Sequence, residues 1–413
     1  MHTGRSVNGV ESSPSYATLL RHRGFSAITG AMACSRLGEF TAQTALLLFV
    51  LARFDSRPLA AAVVVCRLVP GSVLSPLAGA LLDRIRPVRL IALDMATASL
   101  VMLALAGLNA TGHLTPAFLL VLVTIGSCTS PLTISGARSL VVRILPRQMW
   151  RRANAVDSGT YVAAALAGPM IAGLAVSQEG GDTALIITAG MYLVGTAIAL
   201  TTPAIPSTDR ARSFIADVLL GIRCLTGNRT LRGLTIVVSL FNITNGMYEL
   251  AVPIAILAHH NNGGAWVGLI LAIGGAGGIV TGAITGGWDT TNNEPRIIAA
   301  GIATTGIGLM TVGFAPNLVL IGVGMLIVGA AGGVFDVAFL TLRQRATDES
   351  LYGRVATVST ALNAAGTPIG ALLVPLLTPA DNAQHTGITP ILVAAAAAPL
   401  IAVLTPKLVS KPR

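Results

Sequence analysis

Runs of apolar residues, each near the ~20 that carry a helix across a hydrocarbon core, alternate with short polar connections over most of this chain. They fall at 24–52, 58–82, 88–109, 115–142, 155–177, 183–203, 232–258, 265–287, 295–314, 317–341, 354–378 and 387–405, which predicts twelve spanning helices. Between the sixth and seventh runs lies the longest polar segment, Pro206 to Arg232. Within it Phe214, Val218, Leu219, Ile222 and Leu225 recur at helical spacing opposite Asp217 and Arg223, so an amphipathic helix lying along the membrane surface is expected there. The pattern divides the chain into a tail (1–23), a first six-helix half (24–203), a linker (204–231), a second six-helix half (232–405) and a short tail (406–413).

Composition strengthens the membrane reading. Hydrophobic residues make up 53% of the 413 and charged residues only 11%, an average that a soluble domain of this length does not sustain. The net charge of +10 raises nucleic acid as a partner, but the arginines sit in short loops and not in one patch with interleaved aromatics, so none is expected. Summed loop by loop, the arginines give an orientation instead. Arg84, Arg86, Arg89, Arg147, Arg151, Arg152, Arg343 and Arg345 fall on one side, with the arginines of the linker and both tails. The opposite side has Arg53 and Arg57 against Asp55, Glu179, Asp182 and Asp381. Both termini are therefore expected in the cytoplasm, with the chain in the inner (plasma) membrane. The first run is too long for a cleavable signal. Cys34, Cys66, Cys128 and Cys224 have no spacing that suits a metal or a disulfide framework.

Asp83 to Arg89 must reverse the chain between the second and third runs. Gly79 lets two helices approach closely, and Asp83 followed by Arg84, Arg86 and Arg89 offers charge-assisted hydrogen bonds between helix ends. Gly79, Asp83 and Arg84 resemble the loop between helices 2 and 3 of the major facilitator superfamily: glycine, three residues, aspartate, arginine, any residue, glycine, arginine, arginine. Arg86, Pro87 and Val88 depart from that pattern, and Arg89 comes one place late. The resemblance implies an all-α membrane protein with two pseudo-repeated halves, and a conformational latch made of Gly79, Asp83, Arg84 and Arg89.

An internal repeat fits the two halves. Ala167-Gly168-Pro169-Met170-Ile171-Ala172-Gly173 in the fifth run returns as Ala365-Gly366-Thr367-Pro368-Ile369-Gly370 in the eleventh, each after a basic loop. Small residues with proline permit close helix crossing and a kink, so Gly168, Pro169, Gly173, Gly366, Pro368 and Gly370 are expected to pack helices. The first copy also resembles the glycine-proline motif of superfamily antiporters, with Ala164 and Ala172 replacing glycines; a tight crossing and an antiporter signature both remain open. Ser35-Arg36-Leu37-Gly38-Glu39, Asp94, Ala153-Asn154 and Tyr352-Gly353-Arg354-Val355 resemble the bacterial drug-exporter branch that includes macrolide and enterobactin exporters.

Polar residues inside the runs are the candidate site, because ionisable groups in a bilayer are costly enough to face a cavity or a partner. Arg36, Glu39 and Gln43 share one face of the first span, and Asn242, Asn245 and Glu249 repeat that spacing in the seventh. By family analogy these line a central cavity with the fourth and tenth spans, which offer Ser127, Ser130 and Arg138, and Asp336. Glu39 is the principal candidate for proton coupling, with Asp336 and Glu249 as reserves. Other readings stand beside these. Arg36 and Glu39 neutralise each other, Arg67 partners a carboxylate, Glu249 is solvated at an outer helix end, Asp94 and Arg138 join the hairpin network, and His259 and His260 are solvated in an outer loop.

No phosphate-binding glycine loop, nucleophile elbow or metal-ligand cluster is visible, so neither an enzyme nor a cofactor is expected and an ion gradient must supply the energy. The expected function is a monomeric secondary transporter that exports amphiphilic or hydrophobic small molecules in exchange for protons, with membrane lipid as its surroundings. The alternatives are a dedicated exporter of one metabolite, such as a siderophore or a self-made antibiotic, and a non-transporting membrane sensor on the same fold.

Overall fold

A computed structural model describes residues 19, 24–145, 149–202, 214–259, 263–288, 293–348, 351–378 and 388–409. In chain order the helices are α1 (Phe25–Phe54), α2 (Arg57–Arg84), α3 (Pro87–Ala110), α4 (Pro116–Ile144), α5 (Trp150–Glu179), α6 (Gly181–Leu200), α7 (Phe214–Gly227), α8 (Arg229–His259), α9 (Gly263–Thr285), α10 (Glu294–Gly313), α11 (Leu318–Arg345), α12 (Tyr352–Ala364), α13 (Gly366–Leu377) and α14 (Ile388–Leu408). Among the described residues twelve spans are long and apolar enough to cross a membrane, α12 and α13 together supplying one of them. Local chemistry marks several boundaries. Ser56 Oγ accepts a hydrogen bond from the Leu59 amide at the start of α2, and Asn317 Oδ1 does the same for Leu320 at the start of α11. Prolines open α3 and α10, where the missing N–H has no intrahelical acceptor to lose. Gly180, at φ 89°, turns α5 into α6 with almost no loop.

The halves repeat one packing scheme. In the first, α1 packs on α5 and α6, α3 on α6 and α4, and α2 on α4. In the second, α8 packs on α13 and α14, α10 on α14 and α11, and α9 on α11, which are the same pairings moved six spans along. The halves meet through two crossings, α5 with α9 and α2 with α13. Each crossing joins corresponding helices in exchanged order.

The two ends of this assembly differ. At the end where α1 runs into α2, a single core contains Leu46, Phe49 and Val63 from the first half and Met247, Leu250 and Ile254 from the second. The glycine-proline motif helps to close that end. A Cβ on Gly173 would strike the Gly264 carbonyl and the backbone of Gly268, so α5 and α9 approach there with backbone against backbone. At the arginine-rich end the cores separate: Ile28, Ile91, Met95 and Leu140 cluster within the first half, and Leu234, Ile298, Phe335 and Leu342 within the second. The molecule is thus sealed at one end and parted at the other.

Two features differ from the sequence expectation. The eleventh span is broken at Ala365 into α12 and α13, and Gly366 and Gly370 of the second repeat lie against the α8 backbone, within their own half. Gly168 packs in the same way against α1, so the two copies share that contact, and Gly173 alone of these glycines crosses to the other half. The fifth span begins at Trp150, five residues before the apolar run, so Asp157 and Thr160 stand well inside the helix. The amphipathic linker helix forms as α7. It rests on α12, with Gly221 against the Arg354 carbonyl and Val358, and leaves Leu219, Leu220 and Ile222 exposed. The hairpin turns at Ile85 and Arg86, and Arg89 is exposed on α3. The side chains of Gly79, Asp83, Arg84, Arg138 and His259, and all of His260, lie outside the described residues, and with them the expected latch.

Candidate functional site

The stripe of polar residues on α1 reaches three different surroundings. Arg36 crosses to α5: one terminal nitrogen lies 2.9 Å from Asp157 Oδ2, and the other donates to Thr160 Oγ1 at 2.7 Å and to the Asp157 carbonyl. Its guanidinium also stands 5.6 Å from the centre of the Tyr161 ring, which meets Phe40 edge-on at 5.2 Å. This settlement follows from the packing. Gly168 leaves no side chain between α5 and the Phe40 segment of α1, so α5 comes near enough for an arginine of α1 to reach its polar first turns. Glu39 is exposed and makes no hydrogen bond or ion pair among the described residues. Mutual neutralisation of Arg36 and Glu39 is therefore not what the fold selects.

Gln43, one turn further along α1, faces Glu249 of α8. Its side chain is placed to donate a hydrogen bond to the carboxylate, and Arg67 of α2 acts on the same carboxylate through space. Glu249 is half-buried, and the surrounding space is lined by Leu46, Leu47, Val63, Val64 and Leu250. It is thus no solvated helix end: two helices of the first half and one of the second meet around it, at the edge of the sealed end. Apolar walls strengthen charge interactions there by lowering the local dielectric. Arg67 lines the same space as Glu249 but makes no ion pair with it.

Asp336 of α11 is exposed and, like Glu39, makes no ion pair among the described residues. Tyr161 connects the set, because it lies within electrostatic reach of Glu39, Asp336, Arg36 and Glu249 together. Tyr248 of α8 stands similarly close to Glu249 and Asp336. Of these residues, Gln43 and Glu249 line one space together with Arg67, where α1, α2 and α8 meet. Asn242 and Asn245 do not share that duty. Asn242 Nδ2 donates to the Asn363 carbonyl at 2.9 Å, beside the break between α12 and α13, and Asn245 Nδ2 donates to Asn242 Oδ1 at 3.1 Å. The pair secures freed backbone at a helix interruption, as broken membrane helices require.

Several residues have roles that the sequence reading missed or misplaced. Asp157 and Tyr161, one turn apart on α5, hold Arg36; their signal was an acid, a hydroxyl and an aromatic ring at helical spacing at the start of the expected fifth span. Asp94 is buried within the first half, facing Thr129 and Thr133 of α4 and within reach of Glu39, at a depth unlike that of a helix-end network. Ser127 Oγ donates to the Arg67 carbonyl at 2.7 Å and accepts from the Gly71 amide at 3.0 Å, and Ser130 Oγ bonds within its own helix, so both serve packing. In the second half, Glu294 at the start of α10 is buried and ion-paired with Arg345 at the end of α11. Nearby Arg343 stacks on Phe339 and Tyr352, 4.8 and 5.9 Å from the ring centres. Among the described residues no cluster of histidine, cysteine and carboxylate side chains suits a metal ion.

Comparison with known proteins accords with this geometry. Residues 28–375 match the family model described as Major Facilitator Superfamily. The chain is 33% identical over 370 residues to the MFS-type transporter y4rN of Sinorhizobium fredii, covering 88% of this chain and 91% of that one. It is 26% identical over 279 residues, 65% of each chain, to the multidrug efflux pump Tap of Mycobacterium tuberculosis. In structure it resembles the nucleoside transporter NupG (TM-score 0.75, 13% identity, 94% of this chain and 99% of the other). It also resembles a bacterial homologue of the human lysosomal transporter Spinster in an inward-facing, unoccupied conformation (TM-score 0.74, 13% identity, 94% and 98%).

Proposed function

The chain belongs to the major facilitator superfamily, and on that premise we propose that it is a secondary transporter exporting amphiphilic or hydrophobic small molecules in exchange for protons. The observation that carries this reading is the pair of carboxylates Glu39 and Asp336, each exposed and without an ion-pair partner among the described residues. A group that exchanges protons with each side of a membrane in turn must be free to do so, whereas Asp157 and Glu294 are held by arginines. The parted end is the one that carries the arginine-rich loops, which places it in the cytoplasm by the charge rule. The structure then corresponds to the loading state of an exporter, with the outer gate closed by the core around Leu46, Phe49 and Leu250.

Substrate entering from the cytoplasm would meet an apolar space with acidic points. Loss of a proton to the cytoplasm and uptake of one from outside would then accompany rocking of the halves about the α5–α9 and α2–α13 crossings. The sequence similarity to Tap supports efflux of drug-like compounds, and the Gly168, Pro169 and Gly173 motif supports antiport. Growth of cells with and without the chain on a panel of amphiphilic inhibitors tests the reading. Protection against several unrelated compounds, lost when the proton gradient is collapsed, is expected; uniform sensitivity to the whole panel would count against it.

A further inference from the structure

Arg36 is held the way a receptor holds a ligand. Its guanidinium has a carboxylate oxygen at 2.9 Å, a hydroxyl at 2.7 Å, a backbone carbonyl and an aromatic face at 5.6 Å, all supplied by three residues of one helix turn, Asp157, Thr160 and Tyr161. Planar forked donors suit that arrangement in a way that a point-like ammonium does not. Asp157 is half exposed and Tyr161 is 53% exposed, so the receptor side opens onto the space between the halves. The occupant also has somewhere else to go, because Glu39 lies one turn away on the same helix, exposed and free of any ion pair among the described residues.

We propose that Asp157, Thr160 and Tyr161 form a guanidinium-selective substrate subsite that Arg36 occupies when no substrate is bound. A compound bearing a guanidinium or amidinium group on an apolar body displaces the Arg36 side chain and takes its place on Asp157 and Tyr161, while Arg36 turns to Glu39. The exchange replaces one planar cation by another, so Asp157 keeps a charge partner throughout. Moving Arg36 onto Glu39 also ties arrival of the substrate to the carboxylate proposed to carry the proton. This deepens the exporter reading above and rests on it.

The test is equilibrium binding of a phenylalkylguanidinium and its isosteric neutral urea to the purified full-length protein. Arg36→Gln removes the internal competitor and should tighten guanidinium binding about tenfold, the equivalent of ~1.4 kcal/mol, with the urea unchanged. Asp157→Asn should abolish preference for the guanidinium over the urea, and Thr160→Val should weaken the guanidinium alone. Because urea binding reports an intact fold, a variant that merely misfolds would be seen by its loss. Guanidinium binding that is indifferent to Asp157→Asn, or weakened by Arg36→Gln while the urea still binds, overturns the subsite and leaves the exporter reading standing. If the wild-type protein binds neither probe, a cavity for amphiphilic compounds is itself wrong, and the subsite falls with it.

Discussion

Arg36 and Glu39 differ by a single turn of α1, yet one is clasped by Asp157 and Thr160 and the other stands exposed and unpaired. That contrast leaves Glu39 without a charge partner among the described residues, which is why we propose it as the group that exchanges a proton. Glu39→Gln should leave binding of an amphiphilic substrate largely intact while removing the dependence of export on a pH gradient, as measured in reconstituted vesicles. If Glu39→Gln still follows the gradient, Asp336→Asn becomes the informative variant, since Asp336 is the other exposed carboxylate of the proposed pair. Sequence alone reached Arg36, Glu39, Glu249 and Asp336 because an ionisable residue inside an apolar run stands out. It missed Asp157, which stands two residues into the expected fifth span, and it could not foresee a partner 121 residues from Arg36. The asparagines of α8 were legible as polar but not as structural, because what Asn242 secures, the carbonyl of Asn363, is exposed only by a break in another helix.

Among the elements, α5 has the most to do. Its first turns hold Arg36, its middle admits α1 at Gly168, and its far end meets α9 at Gly173. Gly173→Leu should force α5 and α9 apart at the sealed end. Spin labels placed across that end would then show a population with longer separations than in the parent protein. Unchanged distances would mean that the gate is held elsewhere. The ion pair between Glu294 and Arg345 staples α10 to α11 on the opposite side of the molecule. Glu294→Gln should lower stability by about 2 kcal/mol, the scale of a hydrogen bond to a charged group, discounted here because Arg345 keeps some solvent; thermal unfolding in detergent measures it. The break at Ala365 was not legible, since the Gly366, Pro368 and Gly370 cluster read equally well as a packing face and as a kink. Helix boundaries elsewhere were easier, because hydropathy ends where the membrane does, although α5 starts at Trp150, five residues before its apolar run.

Across the whole molecule, the packing of α1 on α5 and α6 in one half is repeated by that of α8 on α13 and α14 in the other. The one-sided distribution of arginine predicts that cysteines introduced at Asp209 and Lys411 resist an impermeant thiol reagent added outside intact cells, whereas one at Gly112, in the loop after α3, reacts. Labelling of either of the first two from outside would invert the direction of transport argued here. The most direct measurement uses purified protein in sealed vesicles preloaded with a fluorescent amphiphile that the protein binds, with an imposed pH gradient as the sole energy source. The account predicts uphill movement of the compound coupled to proton flow in the opposite direction, with both fluxes abolished by a protonophore. Binding of the compound with no movement under the gradient, or movement only down its own concentration gradient, would contradict it.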